Sequence, residues 1–214
     1  MTTAKDLIVR PISPHNANMI VKKLHYSNKV VPNSQLHFGV FLNGKCGGAI
    51  QLGPSMRKDL LQPLVKGTQW NGFIELHRLA FADWLPRNGE SRCIGYVMRV
   101  LRKTYKHLKW VISFADGCQC GDGAIYRASG FVLTQIKRNN QMRVNPVTGD
   151  IVHTMTAFHG RKLNEFRQWR MLDGFMLRYI YFLDPEIKKN LTCPILPFSE
   201  IKEKGASIYK GVRM

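Results

Sequence analysis

Several polar side chains in this sequence have the type and spacing to move protons or to hold an anion. In the stretch Trp110–Phe131, WVISFADGCQCGDGAIYRASGF, an apolar, β-rich run ends at the carboxylate Asp116, and a short helical pattern from Asp122 carries the phenol Tyr126 one turn on. The pattern predicts a buried strand, a Cys-Gln-Cys-Gly loop, a helix over 122–129, a Gly130 C-cap and a second strand from Phe131. Ligands of open α/β sheets lie beyond the carboxyl ends of strands, so Asp116 and Tyr126 read as aimed at one crevice, suited to proton transfer. The alternative is an Asp116-Gly117 turn and a tyrosine packed in the core. His25, at the end of a helical pattern, is a candidate base or metal ligand because imidazole titrates near neutrality; it is equally a cap for helix carbonyls. Arg78 lies mid-strand and reads as a partner for Asp116, as an ion pair or as a substrate clamp. Ser91 reads as an N-cap at a helix N-terminus that would also receive a phosphate or an oxyanion.

The elements that must position these residues follow from pattern. A strand over Leu7–Ile12 precedes a helix that Ser13 caps and Pro14 opens, with Met19, Ile20 and Leu24 as its apolar stripe. Two apolar runs around Asn43-Gly44 predict a hairpin. A helix over Met56–Val65 is interrupted by Pro63, and Gly72–Phe81 alternates as a strand with Glu75 and His77 on one face and Arg78 on the other. The helix that follows, reaching about Tyr105, has Ile94, Val97, Met98 and Leu101 as its core stripe and Arg92, Arg99, Lys103 and Lys106 opposite. Beyond the second core strand, Lys137, Arg138 and Arg143 open a basic hairpin whose return strand runs from Ile151 to Phe158. A tail from Gly160 mixes Arg161, Lys162, Arg167, Arg170 and Arg178 with aromatic residues. Cations interleaved with rings suit phosphate contact plus base stacking, so Lys137, Arg138, Arg143, Arg161, Lys162 and Arg170 are the candidate nucleic-acid contacts. A solvated loop and, for Tyr179-Ile-Tyr-Phe-Leu, a buried strand are the plainer readings.

The chain has 214 residues and an ordinary apolar fraction of 44%, so it can bury a core as one domain, read as residues 1–160, with an extension over 161–214. Its formal net charge of +18 calls for a polyanionic partner, nucleic acid first. No long apolar span or export signal is legible, which predicts a cytoplasmic protein without a membrane. Five cysteines, an odd number in such a chain, argue against a disulfide framework, and Cys118-x-Cys120 lacks the second pair of a structural zinc site.

The element order β-α-β-β-α-β-α-β-α-β-β, with a phosphate-type loop before the second long helix, is similar to the Gcn5-related N-acetyltransferase fold, an α+β class with a mixed central sheet flanked by helices. A closer resemblance lies in HYSNKVVPNSQLHFGVF, ELHRLAFADWLPRNGESR and WVISFADGCQCGDGAIYRASGFVLT, which look like the phage Mom proteins across most of residues 25 to 134, with FLDPEIKKNL and PFSEI in the tail. That resemblance implies a transferase that converts the exocyclic amine of adenine in double-stranded DNA to a carbamoylmethyl derivative and so shields phage DNA from restriction in the host cytoplasm. It also implies that His25, Arg78, Ser91, Asp116 and Tyr126 serve activity. His25 and Asp116 would be base or orienting groups, Tyr126 the acid, and Ser91 and Arg78 the groups that hold or polarise the donor.

The acetyltransferase pyrophosphate pattern is broken here. Arg87 is in place, but Glu90 and Arg92 stand where the two small residues belong, which obstructs standard coenzyme A binding. Arg87, Ser91 and Arg92 remain the donor-binding candidates. Acetyl transfer would give a product lacking one nitrogen, whereas a glycyl group has the atoms of carbamoylmethyl. Glycyl-tRNA, or another activated glycyl carrier, is therefore one donor expectation and acetyl-CoA the rival. A metal held by His25 and Asp116, and the oligomeric state, stay open. The other function classes are a non-catalytic basic nucleic-acid-binding module and a conventional acetyl-CoA-dependent N-acyltransferase.

Overall fold

The computed structural model describes residues 2–119, 121–160, 163–209 and 212–213. A seven-stranded sheet has the order β1-β2-β3-β4-β5-β10-β6. Its strands are β1 (Ile8–Pro11), β2 (Leu36–Leu42), β3 (Lys45–Gly53), β4 (Phe73–Phe81), β5 (Trp110–Asp116), β6 (Val132–Arg138) and β10 (Phe175–Phe182). β1 to β4 pair antiparallel and β4 to β5 parallel, so the sheet is mixed. The helices are α1 (Pro14–Leu24), α2 (Lys58–Leu61), α3 (Gly89–Thr104), α4 (Ala124–Ala128), α5 (Thr154–His159), α6 (Leu163–Gln168) and α7 (Ser199–Glu203). A three-stranded sheet, β8-β7-β9, is built from β7 (Met142–Val144), β8 (Ile151–His153) and β9 (Arg170–Met171).

The chain resolves into two compact units that interleave along the sequence. The first comprises residues 1–113, 125–134 and 179–195, and the second 114–124, 135–178 and 196–214. The stretch read as an extension from residue 161 contributes to both.

In the first unit, Ser13 Oγ accepts from the Asn16 amide and Pro14 opens α1, as its sequence dictates. Its buried side is Ala17 and Val21, packed on Ala49 and Ala80, whose small side chains let the helix approach β3 and β4 closely. Met19, expected in the apolar stripe, is 58% exposed instead. Asn43 and Gly44 both adopt positive φ, the condition of the tight two-residue turn joining β2 to β3. The core stripe of α3 is as its period predicts, with Ile94, Val97, Met98 and Leu101 buried. Trp110 is fully buried, stacks on Phe73 at 4.4 Å, and its indole N–H donates to Thr68 Oγ1 at 3.0 Å.

The second unit holds the three-stranded sheet, with Met142 and Leu172 against Cys118 at its centre. The return strand expected over 151–158 stops at His153. The ring Nδ1 of His153 accepts from the Met155 amide at 3.0 Å and starts α5 there. Phe166 and Arg178, both in the tail from Gly160, are buried.

Gly117 donates to Phe175 O at 2.7 Å, and a Cβ on Gly174 would overlap Cys118. The segments at 117 and 174 thus lie backbone to backbone, a fit that no side chain at 174 permits. Gly174→Ala is expected to lower the thermal midpoint, by the equivalent of about 1–3 kcal/mol, in a melt followed by circular dichroism.

Candidate active site

β4 carries the polar centre of the first unit. Gln51 pairs with Arg78 and Leu52 with Leu76, so β4 holds one residue more than β3, and His77 is a bulge. Simple alternation would set Glu75 and His77 opposite Arg78. The bulge ends that alternation, and Glu75 and His77 both lie within electrostatic reach of Arg78. Arg78 Nε donates to Lys29 O at 2.9 Å and Nη1 to His77 O at 2.8 Å, so the guanidinium fastens the loop after α1 to the sheet. That loop is held again where Ser34 Oγ meets His77 Nδ1 at 2.8 Å, Asn33 Nδ2 donates to Pro54 O at 2.6 Å and the Gln35 amide donates to Leu52 O at 2.8 Å. Burial raises the pKa of Glu75, against the Ser55 hydrogen bond and the charge of Arg78.

His25 closes α1 and is only 7% exposed. The Ser27 amide donates to its Nδ1 at 3.1 Å, and Ser27 Oγ lies 2.8 Å from the same nitrogen. An amide N–H can only donate, so Nδ1 is an acceptor and the neutral ring carries its proton on Nε2. Burial, and then the charge of Arg78, push the ring down to about 4. Tyr26 stacks on His25 with centroids 4.2 Å apart and is itself 46% exposed.

A second feature of this unit is an open pocket of about 860 Å³ at the start of α3. Arg87, Ser91 and Arg92, the three donor-binding candidates, all line it, joined by Lys5, Arg99 and Tyr181. The N-cap is Asn88, in the left-handed region at φ 64°, so Ser91 sits one turn later than expected, inside the helix, and its hydroxyl donates to Asn88 O at 3.2 Å. No side chain caps the first amides of α3, which leaves the helix N-terminus as an anion site among cations. Glu90, whose carboxylate was expected to oppose a pyrophosphate, is not among the lining residues; it lies near Cys93, whose thiol is pushed up to about 12 by burial and then by that charge.

Tyr126, also in the first unit, is 8% exposed, with its ring 5.5 Å from Phe131 and 5.2 Å from Tyr179. Asp116 belongs to the second unit and is buried. Its Oδ1 accepts from the Cys118 amide and from Asn139 Nδ2, each at 3.0 Å. Desolvation raises its pKa, opposed by those hydrogen bonds and by the charge of His153. Of the DNA-contact candidates in that unit, Lys137 and Arg170 are exposed, Arg138 pairs with Asp173 at 2.9 Å, and Arg143 donates to Trp169 O at 2.7 Å while lying over the Phe166 ring. Arg161 and Lys162 lie outside the described residues. Among the described residues no group of three His, Cys, Asp or Glu side chains is arranged to hold a metal, and no helix is long and apolar enough to cross a membrane.

Sequence reasoning missed Tyr26, Ser34 and Ser55 around Arg78, and Asn139 beside Asp116. Polar residues on both faces of β4, Glu75 and His77 against Arg78, were the usable signal. Asn139 sat unmarked in a basic string.

Comparison with known proteins follows from this geometry. A model of the Mom protein family matches residues 6–200. Among curated relatives, the protein named methylcarbamoylase mom of Escherichia phage Mu is 34% identical over 197 residues, covering 88% of this chain and 80% of that one. Among solved structures, a spermidine/spermine N-acetyltransferase from Vibrio cholerae superposes with a TM-score of 0.52 at 9% identity, covering 88% of this chain and 99% of that chain, so the acetyltransferase-like fold is shared. The ribosomal-protein-S18-alanine N-acetyltransferase of Escherichia coli gives a TM-score of 0.49 at 11% identity over 83% of this chain and 94% of that one.

The ring state of His25 has a measurable consequence. In the folded chain it stays neutral down to about 4, whereas the unfolded ring protonates near the ordinary imidazole value of 6.5. The unfolded state therefore takes up the proton first, and stability present above pH 6.5 is lost as pH falls towards 4, by roughly 3 kcal/mol at the limit. His77 acts in the same sense, while Glu75 and Asp116, with raised values, act against it. Urea midpoints of wild type and His25→Gln across this window should show a shallower acid slope in the variant, by about one proton.

Proposed function

This chain belongs to the Mom protein family, and from that premise we propose that it modifies DNA, converting the exocyclic amine of adenine to a carbamoylmethyl derivative. The family match over residues 6–200 is the observation that carries the reading. An acetyltransferase-like fold, a cationic pocket at the start of α3 and a net charge of +18 support acyl transfer onto a polyanion. The same modification is the one that shields phage DNA from restriction in the host cytoplasm.

The donor occupies the pocket of Arg87, Ser91, Arg92 and Arg99, where phosphates meet the α3 N-terminus. A glycyl ester on tRNA accounts for every atom of the product. Adenine N6 attacks the ester carbonyl, the tRNA hydroxyl leaves, and N6 becomes the amide nitrogen of a glycyl group. The new free amine then attacks C6 through a five-membered ring, and the old C6–N6 bond breaks, leaving C6–NH–CH2–CO–NH2. Acetyl-CoA, the alternative donor of this fold, would need a nitrogen source and an oxidant besides. Asp116, buried and with a raised pKa, suits the base that takes the amine proton. His25, whose Nδ1 is occupied and whose Nε2 carries the proton, suits an orienting donor better than a base. Tyr126 is the candidate acid and Arg78 the group that polarises and orders. Lys137, Arg138, Arg143, Arg161, Lys162 and Arg170 are the candidate backbone contacts to duplex DNA. Because the amine is paired in a duplex, the adenine is flipped out for reaction.

Nucleoside mass spectrometry on plasmid DNA from cells expressing the chain is expected to show deoxyadenosine with a glycinamide-sized increment, reduced about 100-fold or more in Asp116→Asn. Folded, expressed chain with wholly unmodified adenine would overturn the reading. With purified components, full modification from glycyl-tRNA and none from acetyl-CoA is expected, and the reverse would exchange the donors. Arg92→Ala with Arg99→Ala should raise KM for the donor more than it lowers kcat.

A further inference from the structure

The reaction proposed above draws an adenine out of the duplex, which leaves a space one ring thick, about 3.4 Å, between the neighbouring bases. The second unit holds an apolar edge that suits such a space. In α5, Ala157 is buried, whereas Met155 and Phe158 are 53% and 59% exposed. They stand three residues apart, on one side of the helix. The Phe158 ring meets the His159 ring edge-on at 5.7 Å, its one ring contact among the described residues.

Hydrogen bonds tie this edge to Asp116. Asn139 Nδ2 donates to Asp116 Oδ1, and Asn139 Oδ1 accepts from the Gln141 amide, each at 3.0 Å. The Gln141 carbonyl then accepts from the Thr154 amide at 2.8 Å and from Thr154 Oγ1 at 3.1 Å. Thr154 opens α5, so one connection, 139–141, holds both the carboxylate and the helix start. At about 1.5 Å per residue, Phe158 lies roughly 6 Å along the axis from Thr154.

Charge and size identify the occupant. Lys137 and Arg138 precede that connection, and Arg167 lies on α6, which packs against α5; all three are exposed. Cations flanking apolar side chains match phosphates flanking a base stack. Two side chains are too small a patch for a stable protein partner, which covers about 800 Å². An unstacked base step, by contrast, takes one or two apolar wedges. We propose that Phe158, flanked by Met155, enters the base stack of duplex DNA and fills the space left by the extruded base. That a base is extruded rests on the function proposed above; the exposed pair, its cations and its tie to Asp116 do not.

The test uses two duplexes that differ only in whether the space already exists. One is intact; the other has a single tetrahydrofuran abasic unit in place of one adenine, with equal length and phosphate number. Binding of the full chain, without any donor, is measured by fluorescence anisotropy at one salt concentration. Wild type is expected to bind the abasic duplex about tenfold more tightly, because less stacking has to be broken. Phe158→Ser should bring the ratio to about one while binding to the intact duplex stays within about twofold. Phe158→Leu should keep most of the preference, and Met155→Ser should lower it in part. Both side chains are exposed, so melting curves of the variants should overlay that of wild type. A wild-type ratio near one, or an undiminished ratio in Phe158→Ser, would overturn the wedge. So would a wild-type dimer that the double variant Met155→Ser, Phe158→Ser turns into a monomer in sedimentation, because a second copy would then cover the edge. Modified nucleoside is read separately. A preference lost in Phe158→Ser, with unmodified adenine throughout, would discard the reaction and keep the wedge; modified adenine with a ratio of one would do the opposite.

Discussion

One extra residue in β4 governs the polar centre of the first unit. A strand in regular register with β3 would present Arg78 to the face opposite Glu75 and His77, and a lone guanidinium under a sheet is expensive. With His77 bulged, the guanidinium gains a carboxylate nearby and two carbonyl oxygens, those of His77 and Lys29. Holding Lys29 in turn fixes the loop after α1, and with it the ring pair of His25 and Tyr26. Removing Arg78 would therefore free a loop as well as delete a charge, and a lysine, with one ammonium instead of a fork, could not span both carbonyls in the same way.

Local chemistry made much of the framework legible. Ser13-Pro14, Asn43-Gly44 and Gly130 each signal an element end through backbone requirements that no distant contact overrides, and the stripe of Ile94, Val97, Met98 and Leu101 has a period only a helix satisfies. The departures arise where a distant partner decides. A bulge leaves no trace in a single strand, because it is a mismatch between two. Asn88 replaced Ser91 as the cap of α3 because it adopts positive φ, which its short amide side chain tolerates and which places the helix start earlier. Asn139 matters only because the chain returns it to Asp116, and His153 stops a strand by capping a helix that the apolar run did not announce. The candidate site residues were legible as types, and their grouping was not: His25 with Arg78, and Arg87 with Ser91 and Arg92, share surroundings that spacing alone does not reveal.

The cationic excess falls in two different settings. Around the start of α3, four cations converge with uncapped amides on one concave surface, a chemistry suited to phosphates. In the second unit the cations lie at the end of β6 and on the small sheet, and two of them, Arg138 and Arg143, are anchored by Asp173 and by the Trp169 carbonyl. Anchored arginines lose less freedom on meeting a polyanion than free ones do, so such a surface can hold a backbone firmly without many contacts.

β10 lies between β5 and β6 in the seven-stranded sheet, although it follows β6, β7, β8 and β9 in the chain. On a ribosome, β6 therefore emerges long before the strand it must pair with, and its bonding edge waits unpaired while the second unit is being made. The sheet closes only after β10 has been made and has left the exit tunnel. A pause or truncation between β6 and β10 would leave an open edge and an apolar face, the kind of intermediate that chaperones retain and that crowded expression turns into inclusion bodies.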